Sequence, residues 1–424
     1  MMFYKETVFK ETPIGKIPKD WEIVKVCNLF DLYKGTTPST KVKKYWDGNI
    51  PFVTPTDITK VSNSNEVYLK STENYVTEMG LKSKGLKLVP KNSLLFTSRA
   101  TIGYLAINKI EVAINQGIIS LIPKGKTVNV TFFYYLLQRL RNLFESLSGG
   151  STYKEISMTT FSNTGILLPS ALEQQKIAEI LSTVDEAIRK TDEIIAKTER
   201  SKKGLMQELL TRGIGHKEFK DTEIGRIPKE WEVVRLRDIA ERVTDITSEK
   251  ELARDQKKYV LYSIPAYHEK GKPELIYAEK IGSTKFHVHM GDILFGKINP
   301  KVPKVWMVEY ADALASTEFI VLRPNENRAI SKYLYYLLQT DRILDLSISS
   351  AKGAVPSRLR TDAESFMRIP IQLPQLSEQQ KIAEIISTVD KKLEIERNEK
   401  AKLERIKQGL MDLLLTGKIR VKVN

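Results

Sequence analysis

Residues 173–185 read EQQKIAEILSTVD and residues 378–390 read EQQKIAEIISTVD, thirteen positions that recur with one exchange, Leu181 for Ile386. The displacement, from 173 to 378, is 205 residues. A solenoid repeat is far shorter, and a whole domain is about that size. The chain is therefore one unit of domain plus helix written twice. A duplicated framework offers two equivalent surfaces, and whatever differs between the copies is free to do two different jobs.

A second shared stretch marks where each unit begins. FKETPIGKIPKDWEI at 9–23 and FKDTEIGRIPKEWEV at 219–233 agree at ten of fifteen positions. The Ile-Gly-Lys/Arg-Ile-Pro-Lys core reads as a turn leading into a strand, with Trp21 and Trp231 as anchors. Between arm and helix the copies mostly diverge. Echoes survive in Ser93–Phe96 against Asp292–Phe295, and in FFYYLLQ at 132–138 against YLYYLLQ at 333–339. The interiors read as mixed α/β, with Gly117–Ile122 and Phe319–Leu322 as buried strands. Phe132–Leu147 and Lys332–Leu346 read as amphipathic helices whose aromatics serve the core rather than base stacking.

The quoted motif opens a long heptad pattern. In the first copy Ile177, Leu181, Val184, Ile188, Ile195, Leu205 and Leu209 fall on alternating steps of four and three, completed by Thr191, Thr198 and Lys202. In the second copy Ile382, Ile386, Val389, Leu393, Leu403, Leu410 and Leu414 do so, with Glu396, Lys400 and Lys407. That period predicts a coiled-coil seam, weaker and able to flex where it turns polar. Ser170 with Glu173 and Ser377 with Gln380 fit capping boxes, and Gly213 and Gly417 fit helix stops. Gly204 and Gly409 sit inside the helices, marking either a close approach, a partner contact or a tolerated kink.

Chain order then dictates geometry. The first helix, about 40 residues, is about 60 Å long. Only five residues separate Gly213 from Phe219, where the second unit opens, so its helix must return toward the first domain to pack. The predicted fold is thus two mixed α/β (α+β) globular domains joined by two long antiparallel helices in a coiled coil, an internal repeat with an approximate two-fold axis. The expected boundaries are 1–170 and 214–374 for the domains, 171–213 for the first helix, and 375–424 for the second helix and tail. The segment near Lys418 should lie close to the N-terminal arm, closing a ring.

The net charge is +15 with 67 Lys and Arg, and 41% of residues are hydrophobic, which suits two folded domains with a phosphate-bearing partner. A lysine-rich surface from compositional bias is the plain alternative. No apolar run approaches the roughly 18 residues of a membrane helix and no signal peptide is evident, so the expected location is cytoplasmic. Cys27 is the single cysteine, which excludes internal disulfides and disfavours cysteine-based zinc sites.

No catalytic constellation stands out. Gly125-Lys126-Thr127 lacks a P-loop's first glycine, because Ser120 occupies that position. Glu218-Phe219-Lys220 gives a nuclease-like Glu-x-Lys without its upstream aspartate. His287 and His289 share a strand face but have no further ligands nearby. What remains is a binder. Its candidate contacts to double-stranded DNA are loops mixing basic, amide and hydroxyl groups. In the first domain these are Lys34, Thr36, Thr37, Lys41, Lys43, Lys44, Tyr45, Arg99, Thr101, Ser151, Tyr153 and Lys154. In the second they are Lys297, Asn299, Lys301, Lys304, Lys352, Ser357, Arg358 and Arg360. Lysine and arginine neutralise phosphates, whereas arginine and amides can read base edges.

This twice-repeated unit resembles the specificity subunit of type I restriction-modification enzymes. Leu168-Pro169 and Leu373-Pro374 precede Glu-Gln-Gln-Lys-Ile in both copies, and the helices close as GLMQELLTRG (204–213) and GLMDLLLTGKI (409–419). The resemblance covers essentially the whole chain. It implies two target recognition domains, each reading one half of an asymmetric bipartite DNA sequence, with the coil as a ruler for the gap. It implies no catalysis and no cofactor bound by this chain. S-adenosylmethionine, ATP and Mg would belong to partner subunits, namely two methyltransferase (modification) subunits and the restriction/translocase subunits. The near-identity of the quoted motif then points toward the coil and those partners. A stand-alone bipartite DNA-binding regulator and a nucleic-acid-free scaffold are the competing readings.

Overall fold

A computed structural model describes residues 3–149, 154–299, 304–352 and 359–422. The chain divides into two compact units, one of Met1–Ile195 with Ile395–Asn424 and one of Ala196–Glu394. Each takes part of both long helices, Ala171–Arg212 and Leu376–Leu414. Among the described residues no helix is long and apolar enough to cross a membrane.

In the first unit a five-stranded sheet has the order Phe30–Lys34, Ile118–Pro123, Leu94–Thr97, Leu105–Asn108, Tyr68–Leu69. All its pairings are antiparallel except the last. A smaller sheet is centred on Trp46–Val53. The second unit has a four-stranded sheet, Ala240–Arg242, Phe319–Pro324, Ile293–Gly296, Val305–Met307. Beside it lies a five-stranded sheet containing Lys258–Tyr262 and Ala313–Ser316. The two expected aromatic helices are each broken in two, as Val130–Arg139 with Arg141–Ser146 and Ser331–Leu337 with Asp341–Ser349. Their rings pack in the cores, with Phe133, Tyr135 and Tyr333 fully buried. Equivalent ring pairs recur, Phe96 with Phe161 and Phe295 with Phe366, both with centroids 4.4 Å apart.

Each arm forms a hairpin, Phe9–Lys10 with Ile17–Pro18 and Phe219–Thr222 with Gly225–Pro228. Gly15 and Gly225 supply the positive φ that the turns need, +103° and +102°. A short two-stranded ribbon then joins the chain after the arm to the strand before the helix, Glu22–Lys25 with Gly165–Leu168 and Glu232–Arg235 with Pro370–Leu373.

Of the seam positions, Ile177, Leu181, Ile188, Leu209, Ile382, Ile386, Leu393 and Leu414 are buried. Val184, Ile195, Leu205, Val389, Leu403 and Leu410 are half-buried. The ends of this stripe merge into the domain cores. Ile177 and Leu181 pack with Met411, Leu414 and Leu415 in the first unit, and Leu209 and Leu210 with Ile382 and Ile386 in the second. Each fully buried Leu or Ile contributes roughly 1.5–3 kcal/mol.

The polar seam positions are not merely weak points. Lys407 lies 2.6 Å from Asp185 and Lys400 2.6 Å from Asp192 in the first unit, and Lys202 lies 2.6 Å from Asp390 in the second. The caps also differ from the sequence reading. Ser170 does accept from Glu173 N at 3.3 Å, but the Glu173 side chain turns to Trp21 instead of closing a capping box. Ser377 lies inside the first turn, where Gln375 O already accepts from Glu378 N and Gln379 N. Gly213 and Gly417 end their helices at φ +68° and +70°. A methyl at Gly204 or Gly409 would meet nothing within 4 Å, so neither marks a close approach within this chain.

The repeated motif is explained largely by what its polar side chains hold inside each unit. Glu173 and Glu378 accept the indole N–H of Trp21 and Trp231 at 3.0 and 2.9 Å. Gln174 bridges Asn129 N and Pro169 O, and Gln379 bridges Ile330 N and Pro374 O. Asp185 accepts from Tyr135 OH at 2.6 Å and Asp390 from Tyr336 OH at 2.8 Å. These contacts seat a domain on its helix and account for the recurrence of those three polar positions.

The chain end does meet the N-terminal arm. Ile419–Val421 pairs antiparallel with Phe3–Lys5, and buried Arg420 bonds Glu6 (2.6 Å), Asp20 (2.8 Å) and Glu173 (2.8 Å). His216 takes that place in the second unit, with Glu378 at 2.9 Å and Glu230 at 3.9 Å.

Candidate nucleic-acid interface

In each unit three distant segments converge at the end of a central strand. In the first unit Ser98 N donates to Gly117 O (2.8 Å), Ile156 N to Ser98 O (3.0 Å) and Ala100 N to Lys154 O (3.0 Å). In the second, Lys297 N donates to Glu318 O (2.8 Å), Thr361 N to Lys297 O (3.0 Å) and Asn299 N to Leu359 O (3.1 Å). Isolated bridges match as well, Arg99 with Glu155 and Ile298 with Arg360. Ala100 and Asn299 hold the same left-handed backbone, φ +63° and +46°, a costly conformation for a side chain with a Cβ. The scaffold of the two sites is therefore the same, although their side chains differ.

Those side chains give each site its own electrostatics. In the first unit Glu155 is the hub, hydrogen-bonded by Lys34 and 4.0 Å from Arg99 Nε, all three partly exposed. Lys154 and Thr101 stand exposed beside it. In the second unit Arg360, largely exposed, bonds Glu318 at 2.8 Å. Burial holds the Lys297 ammonium below the ordinary lysine value; Glu318 opposes this, while Arg360 and Arg242 add to it. One site is built around a carboxylate at 155 and the other around a guanidinium at 360.

The outer loop of the first unit is tied down from beneath. Trp46 Nε1 donates to Ser39 O (3.1 Å), and Thr77 bonds the carbonyls of Lys44 and Tyr45 (2.7 and 3.0 Å). Lys41, Lys43 and Lys44 are left exposed, with Tyr45 half-buried. Thr37 accepts from Asn115 at 3.0 Å and Thr36 donates to Lys84 O at 3.4 Å.

Lys304 departs from the expectation. It is 3% exposed, and its ammonium donates to Ile298 O and Asn299 O at 2.9 and 3.0 Å. It holds Ile298 and Asn299 from inside, because a buried ammonium must be satisfied by fixed acceptors. Lys352 pairs through its backbone with Arg360. Ser151, Tyr153, Lys301, Ser357 and Arg358 lie outside the described residues.

Glu155, Glu318 and Arg242 were missed from sequence. No local pattern could have found them, since each matters only through segments many residues away. His287 contacts Thr247, and the backbone N–H of His289 donates to Asp292 at 2.9 Å. Among the described residues no group of three or more His, Cys, Asp or Glu is placed to hold a metal ion.

Comparison with known proteins agrees with this duplicated architecture. The family model of the type I restriction modification DNA specificity domain matches residues 18–200 and again 228–405. The MjaIX specificity subunit of Methanocaldococcus jannaschii is 40% identical over 250 residues, 56% of this chain and 55% of that protein. The MjaVIII specificity subunit of the same organism is 29% identical over 459 residues, 100% of this chain and 98% of that protein. In fold, the chain is similar to the crystal structure of a type I S subunit from M. genitalium, with TM-score 0.58 and 16% identity over 99% of this chain and 100% of that one. The chain belongs to the type I restriction modification DNA specificity domain family and carries that domain twice.

Proposed function

We infer that this chain is the non-catalytic DNA specificity subunit of a type I restriction-modification complex. Each unit reads one half of a bipartite target through the loops around Glu155 and Arg360. The carrying observation is that one backbone scaffold recurs in both units with different charged side chains on it. Unlike readers imply unlike half-sites and an asymmetric target. The two long helices act as an antiparallel coiled coil, related by an approximate two-fold axis, that sets the gap. One or more turns of duplex, about 34 Å each, fit such a spacer. The duplicated framework suits two methyltransferase subunits carrying S-adenosylmethionine, with ATP and Mg on the restriction/translocase subunits. A stand-alone regulator finds no support among the relatives, which are named as specificity subunits.

The test is co-expression with the cognate methyltransferase subunits, followed by mapping of methylated bases across the genome. A bipartite motif with a fixed gap is expected. Scattered or absent methylation would sink this reading.

A further inference from the structure

Three ion pairs between the long helices share one register. In Asp185–Lys407, Asp192–Lys400 and Lys202–Asp390 the two residue numbers add to 592 in every case. Two of these pairs lie in the first unit and one in the second. Each step forward on one helix is thus matched by an equal step back on the other.

Slipped registers are penalised by the sequence itself. A slip of one heptad one way puts Asp185 opposite Lys400 but sets Asp192 against Leu393 and Lys202 against Ala383. A slip the other way sets Asp185 against Leu414 and Lys202 against Arg397, keeping only Asp192 with Lys407. The apolar heptad positions alone discriminate such slips weakly, because one branched aliphatic side chain replaces another. A polar residue at a seam position discriminates, since an unpaired charge there is costly.

Two of the pairs also carry a domain. Tyr135 OH donates to Asp185 at 2.6 Å and Lys407 lies 5.8 Å from the centre of the Tyr135 ring. Tyr336 OH donates to Asp390 at 2.8 Å and Lys202 lies 5.6 Å from the Tyr336 ring. Both tyrosines come from the short helices of the reading domains. Each aspartate is therefore a three-way junction of domain, own helix and opposite helix. Asp185 is only 8% exposed in its side chain and Lys407 16%, so the first junction is largely withdrawn from solvent.

We propose that these Tyr–Asp–Lys junctions, with Asp192–Lys400, are the positioning residues that fix the helix register and thereby the number of base pairs between half-sites. This rests on the bipartite reading above. It assigns gap selectivity to named side chains instead of to helix length alone.

The test uses the full chain in complex with its methyltransferase subunits. The readout is methylation of duplexes carrying the native gap against duplexes with the gap one base pair longer or shorter. Lys202→Met with Lys407→Met keeps the apolar stems and should reduce gap discrimination by about tenfold, the scale of coupling within one side-chain network. The half-site bases should stay the same. Asp192→Lys should reduce discrimination too, and adding Lys400→Asp should restore it. Unchanged discrimination in complexes that still assemble would overturn the proposal, as would failure of the charge swap to restore it. If the methionine variant does not fold, the swap pair decides. If the unaltered complex methylates no bipartite target, the functional reading falls and takes this one with it. Unchanged gap preference beside normal bipartite methylation removes this one alone.

Discussion

The indole N–H of Trp231 donates to the Glu378 carboxylate at 2.9 Å, across 147 residues of sequence. It joins the arm that opens the second unit to the first turn of that unit's long helix. Gly213, His216 and the same carboxylate crowd around the ring, so arm, helix start and helix end meet at one point. The first unit repeats this with Trp21, Glu173 and Arg420, using a strand from the opposite end of the chain.

Removing that carboxylate should be felt throughout the second unit. Glu378→Ala strands the Trp231 N–H, the Ile214 N–H and the His216 ring. The expected loss is about 1–3 kcal/mol, as for buried donors left without acceptors. Urea unfolding followed by tryptophan fluorescence measures it, and a loss within error would show that the junction is not structural.

The helix glycines should sort into two classes. Gly213→Ala places a methyl 2.7 Å from Trp231 and 2.5 Å from Glu378, at a positive φ. It should cost about 2 kcal/mol or more. Gly204→Ala and Gly409→Ala meet open space and should each stabilise by about 1 kcal/mol. Thermal melts of the three variants give the comparison, and destabilisation at 204 or 409 would contradict the described packing.

Acid should loosen the first unit through its terminal latch. The Arg420 hydrogen bond, opposed by burial, holds the Asp20 carboxylate below its ordinary 3.8. Glu6 is held below 4.5, chiefly by the Val8 N–H and with help from Arg420. A depressed carboxylate stabilises the fold above its unfolded pKa, and that contribution is lost as pH falls through the folded value. Stability should therefore drop below about pH 4.5 more steeply in the unaltered chain than in Arg420→Met. Unfolding measured from about pH 6 down to about pH 3 tests this, and equal slopes would exclude the latch as the source.

Two basic residues of the second unit should behave in opposite ways. Arg360→Ala removes an exposed guanidinium and should weaken DNA binding, lowering the salt slope by about one. Lys304→Met removes a buried cation bonded to two carbonyls, so it should lower stability with the salt slope unchanged. Titrations at several salt concentrations, paired with melts, separate the two. A salt effect at Lys304 would mean that its ammonium reaches the nucleic acid.

Much of the framework was legible before the structure because its signals are local. The motif at 173 and 378, the heptads from Ile177 to Leu209 and from Ile382 to Leu414, and the arms around Trp21 and Trp231 all depend on spacing along the chain. The cap at Ser377 misled for the same reason. Ser-x-x-Gln is a valid local pattern, but Gln375 begins the helix two residues earlier.

The candidate interface was less legible. The basic loops could be named, but not which cations face outward. Lys304 and Lys297 belong to one short basic segment, yet the first is buried and bonded to carbonyls while the second stands beside Glu318 and Arg360. Composition cannot rank them.

The duplication, the two long helices and the family can be read from the chain alone, since identical strings and heptad spacing need no tertiary contacts to be seen. The roles of the polar residues emerge only in the folded molecule. Asp185 finds Tyr135 across 50 positions and Lys407 across about half of the chain. Arg99 meets Glu155 through a bridge between remote segments. Water and salt screen charges, so ion pairs and hydrogen bonds act at contact distance, and only folding brings such partners from remote parts of the sequence together.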